Sequence, residues 1–387
     1  MSQPLDIFQP QHYARTRLPL AEAETLPPWC YTSKEFFAAE MNTIFRKTWN
    51  FVGRVDEVGE TGAFMALEVS GEPIILVRGG DGAVRAFANT CRHRGARLLC
   101  GEGRKSAIAC PYHGWTYGLA GELRGAPGMD GVKNFDKADY GLIPLRLETW
   151  AGFMFVDLSG TAPPLAEHLG NIVDVFAPYG FEDFVCVRRT EYDLACNWKI
   201  YIENAMEDYH TATVHRKSIG TQTTAREETT GEWDAIHMPA DGTIAILPTD
   251  TTPFPHVATL SGKPARGTFF TVIYPNTFFA TTHDCMWWLH AVPLAPDRTR
   301  VIHGACFPRA TTLRDDFEAV LPRYFKRWEK SLGEDNDISV EQQIGLMSAF
   351  GRAGRFSLME PVVHALDNWV LDRVLAEADD QRGRQDG

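Results

Sequence analysis

No stretch of this sequence approaches the roughly 18 consecutive apolar residues that a membrane-spanning helix needs. The opening MSQPLDIFQPQHYARTR has no continuous apolar core either. Neither a membrane span nor a secretory leader is expected, and the chain is expected to stay in the cytoplasm. Positive charge is short as well: 38 Lys and Arg stand against 50 Asp and Glu, a net charge of −12. That sign opposes the sequence-independent attraction to phosphates on which nucleic-acid binding depends. The eight cysteines, at 30, 91, 100, 110, 186, 196, 285 and 306, are scattered without the spacing of a disulfide framework. Internal repeats, low-complexity tracts, a Gly-rich dinucleotide fingerprint and a plant-type four-cysteine pattern are all missing. What remains is a 387-residue chain with 44% apolar and 11% aromatic residues, long enough for two domains and a large core.

Two of the cysteines do stand in a pattern. Cys91-x-His93 lies in NTCRHRGARLLCGEG, and Cys110-x-x-His113 lies in ACPYHGWTYGLAGEL. Two thiolates and two imidazoles suit tetrahedral zinc. They equally suit a Rieske centre, in which two Cys hold one iron of a two-iron two-sulfur cluster and two His hold the other. Spacing alone leaves both open. Gly95, the run from Cys110 to Trp115, Gly118 and Gly121 supply tight turns and backbone amides that can approach inorganic sulfides. Cys100, between the two loops, is expected to be a small buried thiol rather than a ligand. With these flanks the segment resembles the Rieske domain of the aromatic-ring-hydroxylating oxygenase alpha subunits. The resemblance implies that Cys91, His93, Cys110 and His113 hold a 2Fe-2S cluster.

A second constellation follows in Asn197-Trp198-Lys199, Glu203-Asn204, Glu207, Tyr209, His210 and His215. Good helix formers run to His210, whereas Thr211, Thr213 and Val214 are β-branched, so a helix is expected to break near the second histidine. On a continuous helix the two imidazoles would point about 140° apart. A shared metal therefore requires a bend. Two His and a carboxylate with open positions suit mononuclear non-haem Fe(II). The resemblance implies a third ligand far downstream, in the segment 333–343, where Asp335 fits the family position. Asp337 is the alternative, and otherwise caps a helix beginning near Ile338.

The resemblance gives Glu207 a role as hydrogen-bonded bridge between an iron-bound His and a Rieske His of a neighbouring subunit, although many relatives carry Asp there. No partner for Glu207 within its own chain is evident from the sequence. Its other reading is a solvated carboxylate on a helix face. Asn204 and Tyr209 are expected to support the iron site, with core packing an equal alternative for Tyr209. His283, Asp284, His290 and His303 lie in strand-like text and read as structural. Trp287 and Trp288 should point to opposite faces of their strand, so at most one can line a given pocket.

Along the chain, Thr32-x-x-Glu35 reads as a capping box opening a helix through Phe36, Phe37, Met41, Ile44 and Phe45. Short runs from Phe64 to Val69, Pro73 to Val77 and Val84 to Ala88 read as antiparallel strands, with Trp150 to Val156 as a closing strand. Residues 159–164, with Gly160 and two prolines, read as a hinge. The class is α+β, with one domain over 47–158 and a second over 1–46 and 159–387. The resemblance implies an all-β Rieske domain inserted into a catalytic domain of helix-on-antiparallel-sheet (helix-grip, START-like) architecture. It further implies a terminal oxygenase that uses dioxygen and electrons from an NAD(P)H-dependent reductase, directly or through a ferredoxin. The expected substrate is a small organic molecule, aromatic in the first reading, as in aromatic hydrocarbon catabolism. The second reading is N- or O-demethylation or monooxygenation of a quaternary ammonium or methylated substrate. A homotrimeric ring is expected, with a beta subunit left open.

Overall fold

The computed structural model describes residues 5–385, and side chains up to residue 376. The chain divides into two compact units, Arg46–Leu165 and Met1–Phe45 together with Ala166–Gly387. No helix among the described residues is long and apolar enough to cross a membrane.

The unit Arg46–Leu165 is built from ten strands: β1 (Trp49–Arg54), β2 (Ala63–Val69), β3 (Glu72–Arg78), β4 (Val84–Ala88), β5 (Glu102–Arg104), β6 (Ile108–Ala109), β7 (Thr116–Tyr117), β8 (Leu123–Gly125), β9 (Pro144–Trp150) and β10 (Phe153–Asp157). Seven form one sheet in the order β1-β10-β9-β4-β3-β2-β5, and β6-β7-β8 form a second, small one. The segment read as one closing strand is instead a hairpin: Ala151 and Gly152 take φ of 50° and 82°. Two successive positive φ values define the turn that matches strand twist. Alternation sends Ile74 and Leu76 into one cluster with Val52, Met154 and Val156, while Ile75 and Val77 join Phe87, Trp115 and Tyr117 in the other. Cys91 and Cys110 belong to that second cluster, so the two cysteine loops spring from a packed core.

In the other unit, β11 (Phe184–Leu194), β12 (Ala225–Arg226), β13 (Trp233–Pro239), β14 (Gly267–Ile273), β15 (Thr277–Thr281), β16 (Met286–Ala295) and β17 (Arg298–Pro308) form one antiparallel sheet, ordered β11-β17-β16-β15-β14-β13-β12. Four helices matter for the site: α1 (Lys34–Glu40), α2 (Trp198–Ala205), α3 (Phe317–Met347) and α4 (Pro361–Gln385). Residues of all four share one apolar cluster with the sheet's Ile236, Phe270, Phe278, Trp287 and Leu289. Ser33, not Thr32, caps α1: its Oγ accepts the amides of Glu35 and Phe36, while Thr32 ends the preceding turn, Trp29–Thr32.

α3 departs most from the sequence expectation. It runs unbroken for 31 residues through Gly333-Glu-Asp-Asn-Asp337, so Asp337 caps nothing and lies exposed in mid-helix. Glycine and clustered acids weaken a helix locally. Here Lys330 pairs with Glu334 one turn on at 3.1 Å, and Phe317, Leu321, Tyr324, Trp328 and Leu332 bury the apolar stripe.

Candidate active site

The two cysteine loops share one backbone plan. Cys91 donates its amide to the Ala96 carbonyl at 2.8 Å and accepts the Gly95 amide at 2.9 Å; Cys110 donates to Trp115 at 2.7 Å and accepts from Gly114 at 3.1 Å. Gly95 and Gly114, each four residues after its cysteine, take φ of 74° and 71°, which glycine adopts without strain. Both cysteines are buried, and His93 and His113 are exposed with ring centres 4.8 Å apart. His93 stacks on Trp115 at 4.9 Å, and the Tyr117 hydroxyl lies 3.3 Å from the Cys91 sulfur. Burial raises the Cys110 thiol, but the amides of Tyr112 and His113 and the Cys91 side chain outweigh it and hold its pKa below the ordinary value. Two buried sulfurs, Cys110 with backbone amides and Cys91 with the Tyr117 hydroxyl, and two exposed imidazoles fit a cluster held by Cys on its inner iron and His on its outer one. Cys100 is exposed, contrary to the expected buried thiol.

The second constellation bends earlier than expected. α2 ends at Ala205, and turns and bends carry the chain from Asp208 to Ile219, so both histidines lie beyond the helix rather than astride its end. The turns bring the His210 and His215 rings to 5.0 Å. Asp335 of α3 completes a group whose ligand atoms all lie within 4.8 Å of one another. Its Oδ1 is 3.6 Å from His210 Nε2 and 3.1 Å from His215 Nε2. Asp337, two residues on, projects about 160° away on the helix.

Each imidazole is held by a carboxylate at its far nitrogen. Glu207 Oε1 lies 2.6 Å from His210 Nδ1, and its Oε2 accepts the His210 amide at 3.0 Å. Glu207 therefore has a partner in its own chain, and it is no solvated helix-face carboxylate, its side chain being 11% exposed. Glu334 Oε2 lies 2.8 Å from His215 Nδ1 and accepts from Ser218 Oγ. For His215, burial lowers the pKa, but Asp335 and Glu334 outweigh it and raise it. Carboxylates at both Nδ1 atoms fix the tautomer, leaving two Nε2 lone pairs aimed at Asp335 Oδ1. That oxygen is buried and meets no hydrogen-bond donor among the described residues. Two imidazole nitrogens and a carboxylate oxygen thus converge on one point, a donor set that can hold a cation. Two imidazoles and a carboxylate suit Fe(II).

The histidines and Asp335 face a cavity also lined by Asn204, Glu207, Phe270, Trp287 and Arg327. Trp287 borders it, while Trp288 lies beneath Gly304 on the other face of β16, as strand alternation requires. Tyr209 is 57% exposed and neither packs in the core nor lines the cavity. His283, Asp284, His290 and His303, read as structural, do not line this cavity. His290 bonds Thr277 at 3.0 Å, burial drives His290 and His303 down to about 3, and Asp284 accepts from Tyr324 and Thr282.

Sequence reasoning gave no role to Glu334 or Arg327. Arg327, Ser331 and Asp335 follow at intervals of four, a signal visible once the helix is extended towards its N-terminus.

The model of the ring hydroxylating alpha subunit (catalytic domain) matches residues 181–376, and that of the Rieske [2Fe-2S] domain matches 48–136. The chain is 35% identical over 216 residues to the glycine betaine monooxygenase oxygenase subunit of Pseudomonas aeruginosa (strain UCBPP-PA14). That match covers 56% of this chain and 48% of the relative, so it spans about half of that protein's length. The corresponding subunit of Chromohalobacter salexigens is 26% identical over 392 residues, covering 92% of this chain and 87% of the relative. The structure of the quaternary ammonium Rieske monooxygenase CntA with L-carnitine superimposes with a TM-score of 0.76 at 26% identity, covering 91% of this chain and 96% of that one.

Proposed function

Because the chain belongs to the ring-hydroxylating alpha-subunit family and carries a Rieske [2Fe-2S] domain, we propose that it is the terminal oxygenase of a multicomponent system acting on a quaternary ammonium substrate. The first substrate reading, an aromatic ring in hydrocarbon catabolism, gives way to the second: the relatives named above act on glycine betaine and quaternary ammonium compounds. The observation that carries the proposal is the convergence of His210, His215 and Asp335 on a cavity walled by Trp287, Phe270 and Phe278. Aromatic faces and nearby carboxylates attract a methylated ammonium.

In this reading Cys91, His93, Cys110 and His113 hold the cluster, and His210, His215 and Asp335 hold the iron. Bound there, the two centres supply single electrons and a site for dioxygen reduction. Glu207 and Glu334 hold the imidazoles with Nε2 inward and keep the protons on Nδ1. Asn204 borders the cavity beside Glu207, where its amide can position substrate. Phe270, Phe278 and Trp287 exclude water from the methyl group to be oxidised. A separate NAD(P)H-dependent reductase, directly or through a ferredoxin, delivers electrons. The working unit is a homotrimeric ring in which Glu207 links His210 to a Rieske imidazole of the next subunit. The absence of any disulfide among the eight cysteines, all of them described residues, fits the reducing cytoplasm as its setting.

The test supplies the purified, iron-loaded protein with NADH, a surrogate reductase and candidate substrates. Glycine betaine or a related ammonium should stimulate oxygen uptake with stoichiometric release of a demethylated or hydroxylated product. Uptake stimulated by naphthalene-like rings and by no ammonium compound would restore the aromatic reading.

A further inference from the structure

Among the described residues, Arg327 is a buried cation with no salt-bridge partner. It is 4% exposed and lines the same cavity as the iron ligands. Its Nε donates to the Ile244 carbonyl at 3.2 Å and its Nη1 to Ser331 Oγ at 2.8 Å. The guanidinium lies 4.9 Å from the centre of the Trp287 ring. Among the described residues, no carboxylate comes within salt-bridge distance of it. The nearest acids on its helix are otherwise engaged: Glu334 holds His215, Ser218 and Lys330, and Asp335 faces the two imidazoles.

Burial lowers the Arg327 pKa to about 10, with Asp335, Cys285 and Glu334 pulling the other way, so it stays ionised at neutral pH. A buried charge without a partner is costly, and arginine cannot escape the cost by losing its proton. Such a group persists where a ligand completes it. A planar fork with donors to spare is matched to a carboxylate.

Position sets the geometry of that ligand. Arg327 and Asp335 stand two turns apart on one face of α3, about 12 Å along the axis, and both side chains reach into the cavity between them. The rest of the lining includes the acids Glu207 and Asp208 and the aromatic Phe270 and Phe278, and among the described residues Arg327 is the one Lys or Arg in it. A zwitterion fits that polarity in one orientation only.

We infer that Arg327 anchors a carboxylate of the substrate, so that the enzyme takes a betaine, with both a methylated ammonium and a carboxylate, rather than an amino alcohol. This deepens and rests on the quaternary ammonium reading above. The anchored carboxylate turns the methylated nitrogen towards His210, His215 and Asp335.

The experiment measures binding to the iron-loaded protein by calorimetry for four ligands: glycine betaine, choline and their neutral-carbon isosteres, 3,3-dimethylbutanoate (tert-butylacetate) and 3,3-dimethylbutan-1-ol (tert-butylethanol). Wild type should bind tert-butylacetate at least about tenfold more tightly than tert-butylethanol, the scale of a charge-assisted pair, and Arg327→Gln should abolish that preference. Equal affinities in wild type, or a preference that survives in Arg327→Gln, overturn the anchor. Should Arg327→Gln fail to fold, Arg327→Lys keeps the charge without the fork. It should reduce the preference several-fold, and an undiminished preference would count against the assignment. The ammonium reading is judged separately: if glycine betaine binds no better than tert-butylacetate, that reading fails while the result on Arg327 stands.

Discussion

His215 turns Nδ1 onto Glu334 at 2.8 Å and Nε2 towards Asp335 at 3.1 Å, so two consecutive residues of α3 grip opposite sides of one imidazole. In the proposed site Glu334 orients the imidazole and Asp335 is a ligand. Removing an orienting carboxylate typically lowers metal affinity about 10- to 100-fold. Glu334→Gln should therefore weaken iron retention on that scale while the Rieske absorption spectrum stays intact. Iron content after dialysis against a graded chelator measures this, and unchanged retention would remove Glu334 from the site.

Asp335 and Asp337 are told apart by helix geometry. Asp335→Asn should lose the mononuclear iron and all turnover, whereas Asp337→Asn, on the exposed side of α3, should keep both. Loss of iron in the second variant alone would shift the ligand by two residues.

The two histidines and the two cysteine loops stood out in the sequence because their chemistry depends on residue type at fixed spacing, whereas Asp335 was reached only through the family resemblance, with Asp337 as its alternative. The path of the chain between them was less legible. α2 stops at Ala205, where cavity-facing Glu207 and His210 need turns, although the residues up to His210 are good helix formers. α3 continues through Gly333 and four acidic or amide residues because tertiary burial of Trp328 and Leu332 outweighs weak propensity. Arg327 was missed for the same reason: its relation to Asp335 exists only on a helix that local composition does not announce.

Lys199 and Glu40 form an ion pair at 2.5 Å with both side chains fully buried. Lys199 also sits over the Tyr31, Phe36 and Trp198 rings and ties α2, which leads to the turns carrying His210 and His215, to α1. Lys199→Met leaves Glu40 buried without its counter-charge, with only the Trp198 indole still donating to it, and should cost about 3–5 kcal/mol of unfolding free energy. Adding Glu40→Leu should restore much of it, since removing both partners abolishes the stranded charge. Denaturant titrations of the two singles and the double measure the coupling, and strictly additive losses would contradict it.

Burial pushes the Glu203 carboxyl up to about 7, even with Lys199 pulling it down, and neighbouring Asp367 is driven far above the carboxylate range. A group whose pKa is raised on folding adds stability at pH below its unfolded value, near 4.5, and loses it as pH rises through its folded value. Stability should accordingly fall between about pH 5 and 7.5 on this account. Glu203→Gln, which keeps the Tyr31 contact but cannot ionise, should flatten that slope. Parallel melting curves across this range for the variant and wild type would show that other groups set the dependence.

The exposed edges of His93 and His113 and the position of Glu207 against His210 suit electron transfer between subunits. A cyclic head-to-tail trimer would present each Rieske imidazole to the next subunit's Glu207 and leave no interface open. Mixing a Cys91→Ala chain, which lacks the cluster, with a His210→Ala chain, which lacks the iron, tests this directly. Neither should turn over alone. After subunit exchange, mixed rings contain some interfaces that join an intact cluster to an intact iron site, so activity should reappear and track the fraction of mixed rings. Transfer within one chain predicts no recovery, because no single chain in the mixture carries both centres. Persistent inactivity in rings shown by mass spectrometry to be mixed, or a fully active monomer by light scattering, would sink the ring.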